Sequence, residues 1–424
     1  MQQNRVKNLH AGLMSEIPLR DTLKNQLYAK YHALQDAALA LDPPLPQHFS
    51  GRGIVICAGG PRLFACAWVL LHMLREVLGC TLPIEVWYVG AGEMDPIMLA
   101  LLRTFHCVEP MDATGISSYE RIRSQHPHAL KPFAILHSSF REVLLIDADN
   151  VPIADPSFLF DTTQYTETGA LFWPDLKPIP ESSAVWELTR VPYRREPAFE
   201  SGQLVIDKAR CWKPLSVAMH LNEYANFYYK YLYGDKETFH FGWHMASRQY
   251  TMAASSPDVL MPASDPTRLA TGPVLLQKDC SGKVLFQHKN WPKWTAFGEN
   301  LHFPGFLYET ECLQFLARLE KVWDGRVATN ELTPPENYKS GASRWYRYLL
   351  IGQGQRLLEF LPNHGIGAGT RECERAWRVT DDGQALEILG DNWTTCRLRK
   401  DSDGIWKGNW LVNEKFTVEL TALP

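Results

Sequence analysis

The stretch Val143-Leu144-Leu145-Ile146-Asp147-Ala148-Asp149-Asn150 decides how this chain is read. Four consecutive large apolar residues suit a strand buried on both faces, as in a sheet covered by helices. Two acids one residue apart end that pattern abruptly. In open α/β sheets ligands sit beyond the carboxyl ends of the strands, so Asp147 and Asp149 stand where a ligand is expected. Because the chain is leaving the sheet at this point, the strict alternation of side chains lapses and both carboxylates can turn toward one point.

Upstream, Ile54-Val55-Ile56-Cys57-Ala58 reads as a buried strand that ends in Gly59-Gly60-Pro61 and opens a helix from about Phe64 to Leu78. A second strand, Ile84 to Val89, ends in Gly90-Ala91-Gly92 and leads to a helix reaching about Phe105. Val143 to Ile146 is the third clear strand. Short apolar strands alternating with helices predict an α/β fold, a mostly parallel sheet flanked by helices. Downstream strands are expected at 170–173, 203–206 and 284–286, and helices at 214–231, 311–323 and 342–360. Residues 1–50 read as a helical lead-in (Leu19, Leu23, Leu27, Tyr31, Leu34) that stops at Pro43-Pro44 and Pro46. The main domain is expected over 51–361, with a linker over 362–370. Period-2 segments punctuated by Asp382-Gly383 and Asp403-Gly404 then predict a small C-terminal antiparallel β module over 371–424.

Of the 424 residues 45% are apolar and 21% charged, as in a soluble globular protein. A net charge of -4 argues against a nucleic-acid partner, which normally demands a basic face. The nine cysteines form neither a metal-ligand spacing nor a dense framework, which fits a reducing compartment. No stretch approaches the roughly 20 apolar residues that span a bilayer. The expectation is therefore a cytoplasmic chain without a transmembrane segment, with peripheral membrane contact left open.

A pair of carboxylates suits Mg2+ or Mn2+, which take oxygen ligands together with substrate phosphates and act as Lewis acids on a diphosphate leaving group. Taken alone, such a triplet more often solvates a loop. A sharper alternative is a haloacid-dehalogenase-like phosphatase with Asp147 as nucleophile. That family places its acids after the first strand and follows them with Thr or Gly-Thr, whereas Asn150-Val151 follow here. A relative that binds carbohydrate without activity is a further alternative.

Other blocks decide between these readings. Leu130-Lys131-Pro132-Phe133-Ala134-Ile135-Leu136-His137-Ser138-Ser139-Phe140, running through Arg141-Glu142 into the acidic strand, resembles the fungal-type Golgi mannosyltransferase family of α-1,2 and α-1,3 enzymes. The likeness continues in order through Phe172-Trp173-Pro174-Asp175, Glu200-Ser201-Gly202-Gln203-Leu204-Val205-Ile206, Gly234-Asp235-Lys236-Glu237-Thr238-Phe239 and Phe286-Gln287-His288-Lys289-Asn290. With Gly53 to Ala58 and Leu82 to Val86 it covers roughly 51–295. It implies the nucleotide-diphospho-sugar transferase fold called GT-A. It also implies metal-dependent, retaining transfer of a hexose, mannose in preference, from GDP-mannose or a UDP-hexose to a glycan, glycolipid or protein acceptor. Those enzymes carry a membrane anchor and a lumenal stem, neither of which is seen in this sequence.

The resemblance also suggests roles. Asp149 is expected on the metal, Asp147 on the metal or the ribose, and His288 as a third metal ligand. Ala58, Gly59 and Gly60 would let the backbone approach the donor base and ribose, with Ala148 between the two acids. Lys131 is expected on phosphate or ribose, or else as a helix cap, and Lys289 or Lys293 on the diphosphate. An oxocarbenium-like sugar needs lone-pair density and hydroxyl partners nearby. Asp235 is expected to hold sugar hydroxyls, Glu200 and Gln203 to line the reaction face, and Asp175 is a further candidate. For Glu200 the alternative is an ion pair with Arg194 or Arg195. Trp173, Trp243, Trp291 and Trp294 are candidates to stack on acceptor sugars. Trp377, Trp393, Trp406 and Trp410 are expected chiefly as core of the C-terminal module.

Overall fold

The computed structural model describes residues 21–40, 49–116, 118–119, 127–253, 256–263, 272–328, 343–371, 373–380, 383–390, 393–411 and 416–423. Leu19, the proline cluster and Asp382 lie outside them, and Leu23 lies in the helix without a described side chain. Helix α1 (Asp21–Ala40) is the lead-in expected from the leucine spacing. It docks through Gln35, whose amide donates to the Leu188 carbonyl and to Tyr228 Oη at 3.0 and 3.1 Å.

The main sheet takes β1 (Arg52–Cys57), β2 (Ile84–Tyr88), β3 (Val108–Asp112), β4 (Glu142–Ile146), β6 (Ala170–Pro174), β7 (Phe199–Asp207) and β8 (Thr251–Met252), in the order β3-β2-β1-β4-β7-β6-β8. Neighbours are parallel except where β7 lies antiparallel between β4 and β6. This part of the chain also contains helices α2 (Gly60–His72), α3 (Pro96–Leu102), α4 (Leu130–His137), α5 (Lys208–Glu223), α6 (Asp235–Met245) and α7 (Glu309–Glu320), besides shorter helical turns. Two separate apolar clusters pack on the two faces, one around Ile54, Val86 and Leu144, the other around Val55, Leu145 and Phe133. This is the α/β architecture expected of the GT-A fold. The expected strand count was one short: β3 precedes β4 in sequence, so the acidic pair follows a fourth strand. Pro110 lies within β3, and proline is tolerated there because β3 is the sheet edge.

Two features position the site. Strand β7 extends beyond the end of β4: Ile146 pairs with Gln203, Asp147 N–H donates to the Gly202 carbonyl at 2.8 Å, and residues 199–202 lie alongside the acidic turn. A second sheet, β5 (Asn150–Pro152), β11 (Val284–His288), β10 (Val274–Lys278) and β9 (Asp258–Leu260), sets His288 opposite Asn150. Helix α6 lies tightly on α5 because Gly242 faces the backbone of Pro214. A Cβ at Gly242 would sit 2.8 Å from that carbonyl oxygen.

The C-terminal sheet is larger than its expected extent. Its seven antiparallel strands, in the order β13-β12-β18-β17-β16-β15-β14, include β12 (Arg344–Leu350) and β13 (Gly354–Phe360). The helix expected over 342–360 is thus a hairpin, turned at Gly352 and Gly354, both at positive φ. The remaining strands are β14 (Ala376–Thr380), β15 (Ala385–Leu389), β16 (Thr394–Lys400), β17 (Trp406–Trp410) and β18 (Thr417–Ala422). Nor is 362–370 a linker free of the sheet. It folds back on β13, with Ile366 bridged to Phe360 and Gly367 N–H donating to the Glu359 carbonyl at 2.9 Å. Trp406 and Trp410 are buried in this sheet's core as expected; Trp377 stacks on Phe360 and Trp393 is exposed. The sheet meets the rest of the chain through Arg326, whose guanidinium lies 2.9 Å from Glu419.

Candidate functional site

Asp147, Asp149 and His288 each turn one ligand atom to a common point, all within 4.8 Å of one another. His288 Nε2 stands 3.3 Å from Asp149 Oδ1 and 3.8 Å from Asp147 Oδ2. Lys289 N–H donates to the Asp149 carbonyl at 3.0 Å, tying β11 to the acidic turn. The imidazole is buried, and neither of its nitrogens makes an aligned hydrogen bond among the described residues. Gly202 lies against it so closely that a Cβ would be 2.5 Å from His288 Nδ1. Only glycine admits the ring.

Basic groups pair with the acids, and Lys131 is shared by two of them. Lys131, on the first turn of α4, stands 2.8 Å from Asp147 Oδ2 and 3.4 Å from Asp235 Oδ2, and donates to Ser201 Oγ at 3.2 Å. Its alternative as a simple helix cap is therefore set aside. Ser201 Oγ–H donates to Asp235 Oδ2 at 2.7 Å. Lys293 Nζ contacts Asp149 Oδ2 directly. Burial opposes ionisation of Asp149 and Asp235, yet Lys293 and His288 hold Asp149 below the carboxylate range, and Lys131 does so for Asp235. Burial also disfavours charge on Lys131 and His288, and the carboxylates reverse this: Asp147 and Asp235 raise Lys131, Asp149 and Glu200 raise His288.

Glu200 is different. Burial pushes its carboxyl up, against the pull of His288 and Lys236. Its Oε1 accepts from Gly202 N–H at 3.0 Å and lies 3.9 Å from His288 Nδ1. The partner contacts are thus not with Arg194 or Arg195. Asp175 pairs with Lys236 at 2.5 Å, and Glu200 is among the charges that raise Lys236.

Several expected residues serve in other ways. Gln203 accepts from the Asn150 amide at 2.7 Å, bracing the turn after Asp149. Ala148 is packed in the apolar core, leaving its backbone as its contribution to any donor contact. Lys289 turns its side chain into an aromatic pocket, its ammonium 3.6 Å from the Trp294 ring centroid. Gly59 has no room for a Cβ, which would overlap the Glu93 carboxylate, while Gly60 is at φ +76 and open. Among the tryptophans Trp173, Trp243 and Trp294 are core, and Trp291 is 54% exposed. Ser201, Gly202 and Lys236 were unassigned although each stands in a quoted block. Their signal was adjacency to Glu200 and Asp235.

The family model described as "Mannosyltransferase putative" matches residues 51–190 and 181–281. Together these cover more than half of the 424 residues, and the chain belongs to this mannosyltransferase family. The chain is 26% identical over 251 residues to the α-1,2-mannosyltransferase MNN5 of Saccharomyces cerevisiae, covering 45% of this chain and 42% of that one. It is 26% identical over 253 residues to the α-1,2-mannosyltransferase MNN21 of Candida albicans, covering 45% and 37%. It thus spans less than half the length of either relative. Among solved structures, an active-site mutant of LgtC is 14% identical with a TM-score of 0.40, covering 68% of this chain and 99% of that one. Mouse xyloside xylosyltransferase 1 is 15% identical with a TM-score of 0.35, covering 48% and 85%.

Proposed function

We propose that this chain is a metal-dependent, retaining hexosyltransferase that moves mannose from GDP-mannose to a glycan, glycolipid or protein acceptor. The observation that carries the reading is the convergence of Asp147, Asp149 and the buried His288 at the carboxyl end of β4. Two carboxylates and an imidazole, the latter without an aligned hydrogen bond among the described residues, form a donor set suited to Mn2+ or Mg2+. When bound, the ion supplies Lewis-acid charge to the departing diphosphate. The names of the relatives, α-1,2-mannosyltransferases, support mannose as the sugar.

The chain's own groups divide the remaining work. Lys131 holds Asp147 and Asp235 in place and favours the ionised form of Asp235, so that Asp235 can accept from donor-sugar hydroxyls. Lys293, beside Asp149, offers a point charge to the diphosphate. Glu200, buried and oriented by Gly202 N–H, supplies carboxyl density to the face on which charge develops at the sugar. The Asp175–Lys236 pair borders that face. The Gly59 backbone and Ala58 border the base, and exposed Trp291 offers a ring to an acceptor sugar. The nine free thiols support a cytoplasmic setting, to be checked by fractionating cells that express the tagged chain. No helix among the described residues is long and apolar enough to cross a membrane.

A thermal-shift comparison of GDP, GDP-mannose, UDP and UDP-hexoses, each with and without Mn2+, tests the reading, since a ligand that binds only the folded state raises the midpoint. GDP-mannose is expected to stabilise only with the metal, and to release GDP slowly in its presence. A shift confined to the UDP compounds would replace the donor, and no nucleotide-sugar response at all would sink the reading.

A further inference from the structure

A second cluster lies at the other end of α6. His240 and His244 stand four residues apart on this helix, so their rings lie on one face, with centroids 4.7 Å apart. Glu196, just upstream of β7, reaches across to them: its Oε1 is 3.3 Å from His240 Nε2 and 2.5 Å from His244 Nε2. The three ligand atoms all fall within 4.8 Å of one another. Yet neither Nε2 nor Glu196 Oε1 makes an aligned hydrogen bond among the described residues, and His240, 1% exposed, has neither ring nitrogen satisfied. Buried polar atoms at contact distance but misaligned are expected where all of them aim at a shared point rather than at each other.

We infer that Glu196, His240 and His244 form a second metal site, separate from Asp147, Asp149 and His288, which takes one Zn2+ ion. Two imidazoles and one carboxylate are a zinc donor set that leaves a fourth position open. With bonds of about 2.0–2.1 Å, tetrahedral ligand atoms stand roughly 3.4 Å apart. The Glu196–His240 separation already has that value, and the Glu196–His244 pair opens by about 1 Å. Tyr250 Oη–H donates to the other Glu196 oxygen at 3.0 Å, the kind of outer contact that fixes a ligating carboxylate. His244 borders a cleft of about 410 Å³ shared with Arg194 and Ser247, which gives the ion an entry path and a place for its fourth ligand. The ion would join the start of β7 to α6, the two elements that deliver Glu200 and Asp235 to the first site.

The test uses the full chain carrying Asp149→Asn, so that the first cluster is disabled, stripped with a chelator and titrated with Zn2+ and, separately, Co2+. The expected result is one equivalent of Zn2+ and the visible absorption of four-coordinate Co2+. Glu196→Gln or His244→Ala in that background should weaken Zn2+ by about 100-fold or more. His244→Cys should keep the metal and add a sulfur-to-cobalt charge-transfer band, which appears only if residue 244 is a ligand. This arm decides the matter if His244→Ala does not fold. Loss of all Zn2+ binding with Asp149→Asn alone, unchanged affinity in Glu196→Gln, or Co2+ bound by His244→Cys without the sulfur band would each overturn the assignment.

Discussion

The face at the carboxyl end of β4 and the C-terminal sheet both bury acids, and they treat them in opposite ways. In the C-terminal sheet Glu387 is almost fully buried, yet Arg378 and Arg397 clasp it from the two neighbouring strands. Glu374 is matched by Arg356 in the same manner. Each of those carboxylates has an arginine partner beside it. At the β4 face, His288 lacks an aligned hydrogen bond among the described residues, and Glu200 is served by one backbone N–H while burial raises its pKa. Incompletely satisfied polar groups in a native interior are costly, and they persist where an outside group completes them. The contrast agrees with the proposal that chemistry belongs to one region and scaffolding to the other.

Asp149→Asn is the strongest way to break this contrast. It should lower metal-dependent release of GDP from GDP-mannose by about 10^2–10^3-fold while the far-UV spectrum and the melting midpoint stay close to the parent's. A large loss of folding instead would make the acid structural. Gly202→Ala follows. Its methyl would meet His288 Nδ1, so the ring must move, and a shift of about 1 Å in a reacting group costs on the order of 100-fold in rate. Crowding should also lower stability by about 1–3 kcal/mol, read by urea melts.

Third is an acid effect in the helices beneath the site. His220 in α5 is buried, which lowers its pKa from 6.5 to about 4. The unfolded chain therefore binds a proton that the folded chain refuses between those values, so stability is full above about 6.5 and falls as pH drops toward 4. The loss reaches about 3 kcal/mol at pH 4, at one pKa unit per 1.36 kcal/mol. His220→Phe, which keeps a ring against Tyr224, should flatten this limb in melts run from pH 7 to 4. The smallest effect is expected at Glu387→Gln. Both arginines are more than half exposed, so the cost should be about 0.5–1 kcal/mol, with GDP release unchanged. A change in turnover there would erase the division between the two regions.

Much of this was legible in the sequence for physical reasons. β1, β2, β4, β6, β7 and β11 declare themselves because buried strands leave short apolar runs. Asp147 and Asp149 stand out because charge follows such a run without an intervening turn. His288 was legible through its block. What stayed hidden depends on contacts distant in sequence. The role of Ser201 and Gly202 arises from β7 overrunning the end of β4, which no local pattern encodes. The hairpin over 344–360 read as a helix because aromatic and leucine residues fit either period. The Gly352-Gln353-Gly354 turn was the overlooked signal. Edge strand β3 was obscured by Pro110. The four-residue spacing of His240 and His244 was visible, but Glu196 lies 44 residues before His240 and joins them only through the fold.

Gly242 gives helix α6 a mechanical character. The helix is pressed against α5 near its last turn, so treated as a rod it has a short arm of two residues to His244 and a long arm of seven to Asp235. At 1.5 Å per residue these arms are roughly 3 and 10 Å. A tilt that moves the histidine end by a few tenths of an ångström then swings Asp235 by about 1 Å, in the opposite direction. Small displacements at the histidine end are geared up at Asp235, the residue proposed to hold the sugar.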